Sequence, residues 1–432
     1  VRKWKHCKEG FLCVKDNIIP PELLFMNKRR IAVLSACFVT VLITYSVRYS
    51  YGVLLPEMLP SLAISKAEAG VIYSSFFIAY TVFSPLIGLM SDRYDARKLL
   101  TIFITILGSG TLLMSFASSL LQACFFYVLV GIGSAAGWAP VMALAQRWTP
   151  DKDRGKTLAF VDIGSALGII FASAVLPLIV TASDWTRGWL TLGILGIVTA
   201  ALNFILIKSR PPELSGISHP VVVQQHVRSA GSTYLLLLRD SRFWFIGLAY
   251  LLTGFAIIIP ITFLTTYANQ ELEFTYENAA RLLMVIGISA VVGKIVLGTL
   301  SDRIRRVFIM MICALLIAGG ALGMVYARGV SLTIVTIVFG IGYGAVWAMY
   351  AASASDHFPR EHVGSIVGLW TVFLGIGSAI APAVAGWLAD TTGTLSWSFA
   401  LAAAGALVSF LLLLPLTRAH RTPPTPVATV TA

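Results

Sequence analysis

Residues 88–93 read "GLMSDR" and residues 298–303 read "GTLSDR", 210 positions later. Each copy closes a long apolar run and is followed by further basic residues. Other matches fall at nearly the same offset. "GIGSAAGWAP" begins at Gly131 and "GIGYGAVWAM" at Gly340, so Trp138 answers Trp347, and Pro150 answers Pro359, each 209 residues on. One such match is chance, but several at one offset mean a duplicated unit. The chain reads as two related halves, an arrangement common among secondary transporters.

Composition sets the surroundings of those halves. Of 432 residues, 57% are apolar and only 12% are charged, about half the charge a soluble domain carries. Twelve apolar runs reach membrane-crossing length, at 31–55, 68–90, 99–118, 120–146, 157–181, 186–207, 243–267, 279–300, 307–326, 331–355, 362–388 and 395–417. The expected fold is an all-α integral membrane protein of twelve transmembrane helices in two pseudo-symmetric six-helix bundles. The bundles occupy 31–207 and 243–417. They are flanked by an N-terminal segment (1–30), a central polar loop (208–242) and a tail (418–432).

The net charge of +12 invites a nucleic-acid reading, but the charges are scattered through short loops. With both termini in the cytoplasm, 26 of the 32 Lys and Arg residues fall on that side and Lys66, Arg187, Arg281 and Arg328 on the other. That is the positive-inside pattern, and it places the chain in the inner (plasma) membrane. Two readings of residues 1–25 stay open: a translated leader ahead of a start at Met26, or a cytoplasmic tail. Five cysteines show no metal-ligand spacing, and no HExxH, GxSxG or CxxC occurs. "GISAVVGKIV" has the wrong spacing for a phosphate loop and lies in a span. Enzyme, cofactor, metal and nucleic-acid readings therefore find no support.

The stretch "GLMSDRYDARK" resembles the loop after the second helix of the major facilitator superfamily. Gly88, Asp92, Arg93 and Arg97 carry the likeness, while Asp95 and Ala96 depart from it. A second copy, Gly298, Asp302, Arg303 and Arg306, stands after the eighth span. The resemblance implies that these loops gate the cytoplasmic side. The glycines are expected to let helices approach closely there.

Two cations stand inside spans. Arg48 lies in "TYSVRYSYG" (44–52), where Tyr45, Arg48 and Tyr49 share a helix face. Read from a first span ending at residue 55, Arg48 is ~10 Å from the outer end, within partial snorkelling reach. Lys294 lies in the eighth span. Intramembrane cations usually face a cavity, and two of them facing one cavity would repel each other unless an anion sat between. Arg48 and Lys294 are thus read as anion ligands. Tyr45, Tyr49, Trp138, Tyr343, Trp347 and Tyr350 are read as the walls of the site, although an aromatic stripe is more often packing. Arg48 is similar in position to the anion-binding arginine of organophosphate and anion:cation symporters. Lys294 is similar to the carboxylate-binding arginine of monocarboxylate and oxalate–formate carriers. Asp162 is read as an acid favoured near a helix N-terminus, leaving no acid at mid-membrane.

The expectation is a secondary transporter of a small organic anion, a carboxylate, working by alternating access with proton symport or anion exchange. Its partners are that anion, protons and the lipid bilayer, and its working unit is a monomer. Two alternatives stay open: a facilitator-type exporter of neutral or hydrophobic compounds, with both cations structural, and a transporter-like sensor signalling through the 208–242 loop.

Overall fold

The structure is a computed structural model of the chain. It describes the backbone of residues 13–14, 17–18, 21–150, 153–209, 239–358 and 363–418, and the side chains of 28–91, 94–150, 153–209, 239–358 and 363–417. Residues 1–12, most of the central loop, Pro359, the tail and the side chains of Asp92 and Arg93 lie outside the described residues.

Thirteen helices among the described residues make twelve spans. In the first half these are α1 (Pro21–Leu62), α2 (Lys66–Arg93), α3 (Ala96–Met114), α4 (Leu120–Ser134), α5 (Ala139–Arg147), α6 (Arg154–Ala182) and α7 (Trp185–Leu206). In the second they are α8 (Ser241–Thr266), α9 (Tyr276–Leu300), α10 (Arg306–Tyr326), α11 (Val330–His357), α12 (Val363–Thr392) and α13 (Ser396–Arg418). Helices α4 and α5 are two pieces of one span. A π-helical turn, Tyr267–Glu271, prolongs α8. Near the N-terminus Cys13–Val14 pairs antiparallel with Asn17–Ile18.

Helices are the form hydrocarbon allows, because each backbone N–H finds its carbonyl within the segment. Where the chain leaves the apolar layer, side chains take over. Ser65 and Glu68 form a reciprocal capping box on α2, and Ser119, Asp184 and Thr275 cap α4, α7 and α9. Outward-facing positions are themselves apolar, among them Phe116, Leu121, Leu178 and Trp387. Such a surface suits lipid rather than water.

The packing repeats with the sequence. In the first half α1 packs on α6, α2 on α4, and α3 on α4 and α7. In the second, α8 packs on α12, α9 on α11, and α10 on α11 and α13. The halves meet along two long contacts, α2 with α12 and α6 with α9, and α1 also touches α8.

One end of this interface is latched. Asp390 on α12 accepts hydrogen bonds from the backbone N–H groups of Lys66 (3.2 Å) and Ala67 (2.8 Å), covering the N-terminus of α2 from the other half. Lys66 Nζ reaches Glu271 Oε1 at 3.0 Å. Glu271 also accepts from Leu395 N–H and Thr394 Oγ1. Tyr276 donates to the Val53 carbonyl at 3.0 Å. The backbones come so close here that a Cβ at Gly52 would strike the Ile261 carbonyl, and one at Gly70 that of Pro382.

At the opposite end, which carries Arg97, Lys98, Arg303, Arg305 and Arg306, a Cβ on Gly88, Gly298, Gly155, Gly364 or Gly368 would meet nothing within 4 Å. The close approach expected of Gly88 and Gly298 is therefore not made in this arrangement. The halves are closed at the latched end and parted at the basic end.

The first span also runs further than its prolines suggest. α1 continues through Pro56 and Pro60 to Leu62. Arg48 thus lies 14 residues from that end, ~21 Å at 1.5 Å per residue, and its side chain is buried within the protein.

Asp390→Ala removes two acceptors from a helix N-terminus, a loss of about 0.5–2 kcal/mol to the closed latch. A cysteine at Thr262, buried in the α1–α8 contact, should then react several-fold faster with a water-soluble maleimide, native cysteines having been replaced. An unchanged rate would show that Asp390 does not hold this end shut.

Candidate functional site

Arg48 is buried, 6% exposed, in an aromatic cage. Its guanidinium carbon lies 4.3 Å from the Tyr80 ring centre, 5.0 Å from Tyr45, 5.3 Å from Phe76 and 5.8 Å from Phe77. Electron-rich ring faces attract a cation, each by about 0.5–2 kcal/mol. The hydroxyls of Tyr49 and Tyr80 lie beside it. Among the described residues no carboxylate pairs with Arg48, and its Nε has no hydrogen-bond partner. The cage rests on a second aromatic layer, in which Tyr73 donates to the Arg48 carbonyl at 2.9 Å and stacks on Tyr51.

The latched side of this site has a roof shared by both halves. Tyr49 on α1 and Tyr343 on α11 hydrogen-bond through their hydroxyls at 2.8 Å. Tyr343 meets Trp347 edge-on, and Trp347 is partly exposed. Tyr350 is placed differently. Its ring stacks on Tyr250, and its hydroxyl bonds Thr253 Oγ1 at 3.1 Å. It is held inside the second bundle's own core, so packing is its role in this arrangement.

Lys294 is not the lone cation its sequence context suggests. Its ammonium donates to Asp162 Oδ2 at 2.6 Å, to Ser165 Oγ at 2.9 Å and to the Asp162 carbonyl at 3.2 Å. This bridge crosses between the halves, from α9 to α6. Asp162 does more than soften a helix start. It lies eight residues into α6 and faces the interface, where Trp138 Nε1 donates to its Oδ1 at 3.1 Å. The pair is partly open, with side chains 16% and 30% exposed. Tyr45 lies within electrostatic reach of both Arg48 and Asp162.

Trp138 reaches Asp162 because its span is broken. Residues 135–138 leave the helix and α5 restarts with Trp138 as its N-cap. Pro140 lacks the N–H that would continue the ladder. Its repeat partner Trp347 stays inside an unbroken helix.

Comparison with known proteins now has a geometry to attach to. A family model described as Major Facilitator Superfamily matches residues 37–339 and 329–431. The chain belongs to the Major Facilitator Superfamily. The hexuronate transporter of Bacillus subtilis (strain 168) is 24% identical over 411 residues, spanning 91% of this chain and 96% of its own. The D-galactonate transporter of Escherichia coli O6:H1 is 27% identical over 433 residues, spanning 91% and 98%. Among solved structures, that of the nucleoside transporter NupG aligns with a TM-score of 0.72 at 15% identity, covering 90% of this chain and 100% of that one. That likeness speaks to the fold alone. These relatives are membrane transporters and not enzymes, and the chain is a multi-pass transporter of this superfamily.

The superfamily's loop motif can now be read atom by atom. Arg97 lies 4.1 Å over the Phe204 ring and donates through Nε to the Phe204 carbonyl, at the end of α7. In the second half that role falls to Arg305, not Arg306. Arg305 donates to the Thr417 carbonyl at 2.8 Å, at the end of α13. Both arginines cover the unpaired carbonyls of the last helix of their half. Arg306 instead pairs with Asp356 at 2.6 Å. These bonds stay within one half, and Asp302 and Arg303 stand exposed. Asp95, a departure from the motif, caps α3 by accepting from Lys98 N–H and is bonded by Ser209 Oγ. Burial opposes its charge, yet those bonds, the Arg97 N–H and the Lys98 ammonium together hold its carboxyl below the usual range.

A buried cation with no carboxylate beside it among the described residues is costly to keep. Arg48→Met keeps the shape of the stem and removes the charge, so it should stabilise the purified protein by about 1–3 kcal/mol. Thermal unfolding in detergent reads this directly. A lower midpoint would show that the four rings make Arg48 a structural residue.

Proposed function

We propose that this chain carries a small organic anion, a carboxylate, across the membrane by alternating access. Both termini lie in the cytoplasm, so the basic end, parted here, is the inner end. Arg48 is the anchor, and Lys294 joins it once a carboxylate enters between them. Tyr45, Tyr49, Tyr343, Trp347 and Trp138 shape the site. The loops at Gly88, Asp92, Arg93 and Arg97, and at Gly298, Asp302, Arg303 and Arg306, come together when the inner end closes. Transport is by proton symport or by anion exchange.

The observation that carries this reading is the guanidinium of Arg48, buried where the halves meet with no carboxylate beside it among the described residues. Such a group is costly to keep in a membrane unless an anion answers it. The hexuronate and galactonate named for two relatives are carboxylates. A carrier of neutral compounds would have no use for this charge.

The test is uptake into proteoliposomes of labelled D-glucuronate, D-galactonate and sulfoacetate, with a neutral hexose as control. The acids should be taken up and the hexose not. Arg48→Gln should lower kcat/KM about tenfold to a hundredfold, the value of a charge-assisted hydrogen bond lost from the site. Lys294→Gln should follow in the same direction. Full transport by both variants, or uptake of the hexose alone, would leave the cations as structural features.

A further inference from the structure

Resting on the anion-transport reading, we propose that Asp162 couples anion binding to proton movement by exchanging places with the substrate on Lys294. In the empty carrier Lys294 is held by Asp162. An incoming carboxylate takes Lys294 over, and Asp162, left without its cation, accepts a proton.

The geometry supplies each part of this exchange. The Lys294–Asp162 bridge is short, at 2.6 Å, yet partly open to water. It lies on the parted side of the Tyr49–Tyr343 roof, six residues from the end of α9 and eight from the start of α6. A carboxylate held by Arg48 therefore arrives on the side from which Lys294 can be reached. A serine and a tryptophan already flank the pair: Ser165 Oγ accepts a hydrogen bond from the ammonium, and Trp138 Nε1 donates to the other Asp162 oxygen. Asp162 can lose Lys294 from Oδ2 and still keep Trp138 on Oδ1, and the oxygen that loses its cation is the one that takes the proton.

Charge counting gives the direction. Arg48, Lys294 and Asp162 together carry one net positive charge. A monovalent anion bound with one proton on Asp162 leaves that total unchanged. Without the proton, two carboxylates would compete for one ammonium, and like charges at such a distance disfavour each other. The proton comes from water on the open side and forms only the O–H bond of Asp162. It leaves to water when the anion departs and Lys294 returns.

The groups around Asp162 leave it alone in this role among the described residues. Lys294 faces it from α9, Tyr45 from α1 with Arg48 behind, and Trp138 from the α4–α5 break. On α7, which also packs on α6, the charged residue is Arg187, two residues from the start of that helix and at the latched end. On α5 it is Arg147, which donates to the Ser91 carbonyl.

The experiment separates exchange from accumulation. Proteoliposomes are preloaded with D-galactonate or D-glucuronate for counterflow at equal pH. Empty ones are then given an inward pH gradient, where one unit supports about tenfold accumulation at one proton per anion. Wild type should do both. Asp162→Asn should retain counterflow at a reduced rate while its accumulation ratio falls to unity. Accumulation by Asp162→Asn equal to wild type overturns the proposal, as does wild-type uptake into the empty vesicles that ignores the pH gradient. In both cases anion transport itself still stands. Absence of wild-type counterflow for any acid overturns the transport reading instead. Should Asp162→Asn fail to fold, proton uptake by wild type in weakly buffered detergent decides. Addition of D-galactonate should draw in about one proton per anion bound, and no uptake overturns the proposal.

Discussion

A charge that cannot reach water must be answered inside the protein, and that constraint organises this structure. Arg48 stands ~21 Å from the nearer end of its helix, and its side chain is enclosed by the protein. Among the described residues the fold answers with ring faces and no carboxylate. Tyr45, Phe76, Phe77 and Tyr80 lower the cost of the guanidinium without neutralising it. A neighbouring acid would have stabilised the empty protein more, but it would also have occupied the position an anion needs. The second cation is treated the other way. Lys294 has its acid, and the pair is partly exposed, so its attraction is screened and its partner exchangeable.

The contacts between halves follow a similar division. At the latched end they are numerous, short and made largely by backbone groups. Asp390 holds two N–H groups of α2, Tyr276 holds a carbonyl of α1, and glycines let helices touch without side chains between them. Backbone-to-carboxylate bonds of this kind form and break as a set, because a rigid helix end moves as one body. At the basic end the corresponding glycines face open space, while Arg97, Arg305 and Arg306 bind within their own halves. Each bundle is therefore self-sufficient at that end. Two bundles that are internally complete and joined at one rim can rock about the central charges, and small residues on both sides of the gap leave room for the halves to meet.

Much of the fold was legible in the sequence, because a membrane leaves few choices. Twelve apolar runs, loops rich in lysine and arginine, and matches at one offset describe the helices that are found. What escaped were features set by tertiary contact. Pro56 and Pro60 read as a helix end, yet α1 passes through both to Leu62, since a packed helix tolerates prolines an isolated one would not. Arg306 looked like the partner of Arg97 from spacing, but the helix end each arginine covers identifies Arg305. Of the site, Arg48 and Tyr49 lie together as their helical spacing implies, and Tyr343 joins them across the halves. Tyr80 and Asp162 were missed. The position of Asp162 near a helix start offers a sufficient local explanation. Only the meeting of α6 and α9, more than a hundred residues apart in sequence, reveals Lys294 opposite it.

The duplication separates scaffold from chemistry. What the repeat preserves is mechanical: the Gly-to-Asp-Arg loops, Trp138 with Trp347, and the arginines over the last carbonyls of each half. What it does not preserve is the charge at the centre. At an offset of 209, Arg48 falls on Ile257, Asp162 on Thr371, and Lys294 on Pro85. A symmetric pair of bundles lined by symmetric charges would double every cation and hold the interior open by repulsion. Here the first half contributes one cation and one acid, and the second contributes the cation that the acid holds. Neither half has a complete site, so an anion that needs both cations is gripped only while the halves are together around it. On the anion-transport reading proposed above, the broken symmetry would link occupancy of the centre to the relative position of the bundles, as alternating access requires of a binding site.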